Sequence, residues 1–119
     1  MIRLTEIIEE LFEQCDTHFP INNSTIPLLI LIKTIRYELN GDPLSLKSMC
    51  AELNASDLCT RLHITKLEKN GWLALKTSST DKRVKLILST PKLMATFSRL
   101  VDGLNPNIRS LMNGDWLNQ

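Results

Sequence analysis

Glycine, aromatic side chains and cysteine are all scarce in this chain, which has four glycines, six aromatic residues and three cysteines in 119 positions. So few glycines leave no Gly-rich phosphate loop. Neither a Gly-x-Ser-x-Gly elbow nor a His-Glu-x-x-His pair occurs, so an enzyme is not expected. Cys15, Cys50 and Cys59 are an odd, sparse set that argues against a disulfide framework and for a reducing, cytoplasmic setting. No apolar run approaches the roughly 18–20 residues of a membrane span. The longest, Ile26–Ile32, is interrupted by Pro27 and ended by Lys33. The N-terminus lacks the basic head and apolar middle of a secretory signal. What remains is an ordinary globular composition, 43% hydrophobic and 23% charged, at a length that suits a single domain over residues 1–119.

The net charge of +1 hides a division along the chain. Residues 1–24 set one arginine against five carboxylates, a net of −4, whereas residues 56–92 set eight cations against three carboxylates, a net of +5. A basic cluster of that kind suits a phosphate-bearing partner, although solvated charge is the commoner reason for any one lysine.

Periodicity supplies the elements. Ile8, Leu11, Phe12, Cys15 and Phe19 recur at steps of three and four, predicting an amphipathic helix over 5–19 with Thr5 as N-cap. A second helix is expected over 25–39, apolar almost all round and therefore covered on more than one side. Ser45 is placed to cap a short helix over 46–53 that buries Leu46, Met49, Cys50 and Leu53. After a three-residue break, Ser56 is placed to cap a longer helix over about 57–70, which Gly71 stops. Beyond Gly71 the period falls to two. Trp72–Thr77 and Arg83–Ser89 read as a hairpin with a polar tip, with Leu73, Leu75, Val84, Leu86 and Leu88 expected inward. A further helix is expected over 91–104, with a last short one around Ile108, Leu111, Met112 and Trp116.

A short helix, tight turn, longer helix and hairpin give a mainly α fold with a small β-hairpin, the winged helix-turn-helix order, with its core over 25–92. The sequence adds a resemblance. Leu67-Glu68-Lys69-Asn70-Gly71-Trp72-Leu73, followed by Asp81-Lys82-Arg83-Val84 and Leu86-Ile87-Leu88-Ser89-Thr90, resembles the MarR family of winged-helix regulators. The match is best over 44–92. It departs from the family pattern at Ser89-Thr90, where Leu-Thr is usual, and at Pro91-Lys92-Leu93, which lacks the glycine that normally follows. Shorter winged-helix regulators are an equally admissible comparison.

The resemblance implies double-stranded DNA as partner and regulation of transcription as function. It also implies that Arg83 enters the minor groove while Asp81 holds its guanidinium; the bland alternative is that Asp81 only stabilises the turn. A helix fits the major groove, and flanking cations meet phosphates. With Ile64 and Leu67 inward, together with Thr60 and Gly71, the residues expected outward are Cys59, Leu62, Lys66 and Lys69, with Leu58 and Thr65 at the margin and Arg61 on the flank. The DNA-contacting set is then Ser56, Arg61, Leu62, Thr65, Lys66 and Lys69 on the helix, with Lys82 and Arg83 on the wing (about 72–89). Leu58 and Leu62 are unusually apolar for such a face. Contact with thymine methyls, a helix rotated from this assignment, or a protein partner would each account for them.

The terminal helices, 5–19 and 91–117, carry more apolar surface than a small winged helix needs, which predicts a homodimer. Two other functions fit the same fold: a protein–protein adaptor, and a plasmid or phage replication or partition factor. No metal or other cofactor is expected, because Cys15-x-x-His18 and Cys59-x-x-x-His63 each supply only two ligands where zinc needs three or four. Some relatives sense peroxide through a first-helix cysteine. Cys15 stands in a comparable place, but its acidic helix does not favour a thiolate.

Overall fold

The computed structural model describes residues 2–19, 24–104 and 106. Among these residues five helices and two strands follow one another: α1 (Ile2–His18), α2 (Thr25–Leu39), α3 (Leu46–Glu52), α4 (Asp57–Lys69), β1 (Leu73–Thr77), β2 (Lys85–Ser89) and α5 (Pro91–Asp102). The expected last helix around Ile108 to Trp116 lies outside the described residues. The chain divides into two compact units, Pro20–Ala95 and a second made from Met1–Phe19 with Thr96–Gln119.

In the Pro20–Ala95 unit, α4 packs against α2, α3 and β1, and α2 also meets β2. Leu28, Ile30, Leu31 and Ile35 of α2 are buried, as are Met49 and Cys50 of α3, Ile64 and Leu67 of α4, Leu73 and Ile87 of the strands, and Leu93. The capping expectations hold at α3 and α4, and the structure adds a third cap at α2. Ser24, Ser45 and Ser56 are the N-caps of α2, α3 and α4, and their side chains accept from the backbone N–H of Ile26, Ser48 and Cys59. Each satisfies a donor that the first turn leaves without a partner. Glu52, at the end of α3, accepts from Tyr37 and, at 3.2 Å, from Lys33, tying α2 to α3.

The wing corrects one expectation. Its strands pair antiparallel with Leu73 opposite Ser89, Leu75 opposite Ile87 and Thr77 opposite Lys85. Directly opposed residues share a face, so the inward side of β2 is carried by Ile87, which is fully buried, and not by Val84, Leu86 and Leu88, which are partly exposed. Leu86-Ile87-Leu88 is apolar throughout, so alternation alone could not choose between the two registers. The free edge of β2 is also covered: Ile87 N–H donates to the Leu44 carbonyl at 2.8 Å, and Ser45 bridges to Leu86. A short segment ahead of α3 thus protects an edge that would otherwise be open to pairing.

Two further expectations are corrected. Thr5 lies inside α1, which begins at Ile2, so it is not the N-cap; residues 2–4 are compatible with helix and prolong it. Gly71 is exposed, not inward. It adopts φ +82°, the left-handed conformation that ends α4 and turns the chain toward β1.

Thr90 fastens this turn to α5. Its hydroxyl donates to the Gly71 carbonyl at 2.7 Å and accepts from Leu93 N–H at 3.2 Å. Lys92 donates to the Asn70 carbonyl at 2.8 Å with its ammonium 4.3 Å from the Trp72 ring centre. Both groups satisfy carbonyls just past the end of α4, and the Lys92 ammonium also suits the negative end of the helix dipole.

The second unit contains α1 and the C-terminal part of α5. Phe19, Thr96, Leu100 and Leu104 are buried. A Cβ on Gly103 would stand 2.8 Å from Gln14 Oε1, so the glycine admits that α1 side chain. Ile8 and Phe12 of α1 remain largely exposed.

Replacing Thr90 with Val keeps the shape of the side chain and removes its hydroxyl. Loss of both bonds should destabilise the fold by about 1–2 kcal/mol. A urea titration would show this as a lowered midpoint at unchanged slope; an unchanged midpoint would mean that the latch contributes nothing.

Candidate nucleic-acid interface

The orientation of α4 follows from its buried side. Thr60, Ile64 and Leu67 are inward. At 3.6 residues per turn, Leu58, Leu62, Thr65, Lys66 and Lys69 then fall within an arc of about 100° on the opposite side, and all five are exposed. Leu58 and Leu62 are 69% and 61% exposed, so the helix is not rotated to hide them. Cys59 and His63 lie at the margin, partly buried, and Arg61 is exposed on the other flank. Leu62, Lys66 and Lys69 face outward as expected, but Cys59, expected with them, is partly buried, and Leu58 and Thr65, expected at the margin, lie on the exposed face, which is apolar in its first two turns and basic in its last.

A shallow depression of about 390 Å³ lies along the first turns of α4, lined by Ser56, Leu58, Cys59, Leu62, His63 and Lys66. A second depression, of about 240 Å³, lies between α3, α4 and the wing. Ser45, Leu46, Lys47, Arg61, Arg83, Val84 and Lys85 line it. Four cations and no carboxylate make this groove suited to an anion. Lys47, Lys85 and Ser45 had no place in the expected set. The signal for Lys85 was its position at the mouth of the hairpin; Lys47 could be found only once the fold had brought α3 beside the wing.

At the wing tip, Arg83 and Asp81 form a fork. Arg83 Nε donates to Asp81 Oδ1 at 3.2 Å and its terminal nitrogen donates to Oδ2 at 3.4 Å, while Arg83 N–H donates to Oδ1 at 3.0 Å. The Arg83 side chain is nevertheless 91% exposed, so the pairing orients the guanidinium without burying it. The adjacent Lys82 is exposed too, and Lys85 is steadied across the hairpin by donating to Thr77 Oγ1 at 2.9 Å. Among the described residues, Ser56, Arg61, Leu62, Thr65, Lys66 and Lys69 thus share one helix, and Arg61 meets Arg83 at the groove. Lys82 lies beyond the residues that line it.

Cys15 and Cys50 line neither depression. Burial pushes the thiols of Cys15 and Cys50 up, away from the thiolate form. No group of three or more His, Cys, Asp or Glu side chains placed to hold a metal ion occurs among the described residues. No helix among them is long and apolar enough to cross a membrane.

Helix, helix-turn-helix and hairpin in this order, with a basic cleft beside the exposed helix, define a winged helix-turn-helix unit. No family profile matches the sequence, and a search of curated proteins returned no relative. Solved structures do resemble it. The transcriptional regulator Tm0710 from Thermotoga maritima superposes with a TM-score of 0.67 at 14% identity, over 85% of this chain and 68% of that one. Wild-type MarR from E. coli, in its apo form, gives 0.62 at 13% identity, over 93% and 77%. A MepR variant from S. aureus bound to an oligodeoxyribonucleotide gives 0.60 at 16% identity, over 98% and 89%. The chain has the MarR-like winged-helix fold.

The fork makes a prediction about protonation. Hydrogen bonds from the Arg83 side chain, then from its backbone N–H, hold the Asp81 carboxyl below its usual range. The stabilisation this gives the wing is complete above the ordinary carboxylate value and disappears as pH falls through the lowered one. Following the Asp81 carboxyl carbon by NMR should show a depressed titration that moves upward in Arg83→Ala. Identical titrations in both proteins would mean that the fork does not persist in solution.

Proposed function

We propose that this chain is a DNA-binding transcriptional regulator that binds duplex DNA as a homodimer. In this reading α4 enters the major groove, and the wing carries Lys82 and Arg83 to the adjacent backbone and minor groove. The observation that carries it is the groove lined by Lys47, Arg61, Arg83 and Lys85 beside the exposed face of α4. A duplex laid on that face brings phosphates to the groove while base edges meet the helix. The DNA-bound MepR structure, which has a similar fold, supports this assignment. Ser56, Arg61, Thr65, Lys66 and Lys69 are the helix contacts, and Asp81 orients Arg83.

The homodimer reading rests on exposed apolar surface. Ile8 and Phe12, one turn apart on α1, are 45% and 56% exposed, and an exposed apolar pair of this kind suits an interface. A two-fold pair would set two reading helices about 34 Å apart, one turn of DNA. Sedimentation at roughly ten micromolar should return twice the 13.6 kDa chain mass; monomer alone would remove the dimer.

A protein–protein adaptor is the second reading, favoured by the exposure of Leu58 and Leu62. Salt separates the two. Binding to random-sequence duplex should weaken as ionic strength rises, with a log–log slope near −0.9 for each phosphate neutralised. Arg83→Ala and the Lys66→Ala/Lys69→Ala pair should each lower both the affinity and the slope, by about one per lysine or arginine removed from each protomer. Absence of binding at low salt would overturn the regulator reading and leave the adaptor.

A further inference from the structure

The apolar half of the α4 face is left unexplained by phosphate binding. Leu58 and Leu62 are one turn apart on the same stripe, in the first two turns of the helix, and both are mostly exposed. Lys66 and Lys69 continue that stripe at the C-terminal end. The groove cations Lys47, Arg61, Arg83 and Lys85 flank it toward the wing. An apolar pair enclosed on two sides by cations matches a partner whose centre is apolar and whose rim is anionic. The major groove at thymine offers that combination, because the C5-methyl group projects between two phosphate backbones. A reading helix also presents its N-terminal residues to base edges and leaves its C-terminal end to the backbone. That is the order found here, leucines first and lysines last.

Resting on the DNA-binding reading above, we infer that Leu58 and Leu62 are specificity-determining residues that read thymine methyl groups. The sites this protein prefers carry thymine at the positions facing the first two turns of α4. The depression along these turns, lined by Ser56, Leu58, Cys59, Leu62, His63 and Lys66, has a volume of about 390 Å³, room for methyl groups, and no carboxylate among its lining residues to repel adjacent phosphates. Arg61 and Thr65, exposed beside the leucines, are free to take the polar base edges next to each methyl.

The test uses sites selected from a random-sequence duplex pool, each then resynthesised with deoxyuridine in place of thymidine at one position at a time. Deoxyuridine keeps every hydrogen-bonding group and removes only the methyl. Substitution at two or more positions per half-site should weaken binding about fourfold each, the factor that corresponds to roughly 0.8 kcal/mol per buried carbon at 1.4 kcal/mol per tenfold. In Leu58→Ala/Leu62→Ala the same replacements should have no further effect, which separates contact with the methyl from a change in DNA shape. Both leucines are exposed, so the variant should keep the wild-type thermal midpoint, checked by circular dichroism. Selected sites that are indifferent to deoxyuridine, or a selection that yields no preferred sequence, would overturn the inference while leaving salt-dependent binding and the regulator reading intact. Failure of the wild-type protein to bind any duplex at low salt would overturn both and assign the leucines to a protein partner.

Discussion

The rotation of α4 about its own axis is the constraint on which the rest of the molecule turns. Thr60, Ile64 and Leu67 occupy one side of it and meet α2, α3 and β1. With those three fixed, the helix geometry leaves no freedom in what faces out. A rotation of one residue would expose Ile64 or Leu67 at roughly 1.5–3 kcal/mol apiece, far more than any single surface contact could recover. Packing therefore chooses the presented face, and the chemistry of that face follows from packing. The two ends of α4 are fixed by separate means, Ser56 at the N-terminus and Gly71, Thr90 and Lys92 at the C-terminus. Register along the axis is thus held as firmly as rotation.

Electrostatics acts on a finer scale than the total charge suggests. A net of +1 would argue against a polyanionic partner if charge were spread evenly. Instead α1 carries five carboxylates, and the fold gathers Lys47, Arg61, Arg83 and Lys85 from three separate stretches into one groove. The carboxylate that does stand near the groove, Asp81, is engaged by Arg83 on both its oxygens. It limits the rotamers of an otherwise exposed guanidinium, so less entropy remains to be lost when that group meets a ligand.

Much of this was legible in the sequence because it was local. Ser45 and Ser56 mark helix starts through bonds spanning three residues, and Gly71 marks a stop through its own backbone angle. The outward face of α4 was legible for the same reason: Ile64 and Leu67 fix a helical phase without knowledge of what they touch. Legibility failed where the determinant was a partner distant in sequence. The inward residue of β2 depends on which residue of β1 stands opposite, and Leu86-Ile87-Leu88 gives no alternation from which to infer it. The Leu44-Ser45 strand edge and the place of Lys47 beside Arg83 are likewise products of tertiary pairing. Such contacts leave no periodic trace along the chain.

The modest basic excess and the apolar reading face have a common rationale. Phosphate contacts strengthen binding to every sequence alike, so adding cations raises affinity without raising discrimination. Discrimination depends on the ratio of specific to non-specific binding, against a very large excess of competing sites. A protein with few cations keeps the non-specific term low. Contacts at the base edges then account for a larger share of the total, and apolar contacts at that place are insensitive to salt. Leu58 and Leu62 would be a liability on a surface meant only to hold DNA. In the proposed reading, on a face bordered by a few cations, they become the part of the helix able to tell one base pair from another.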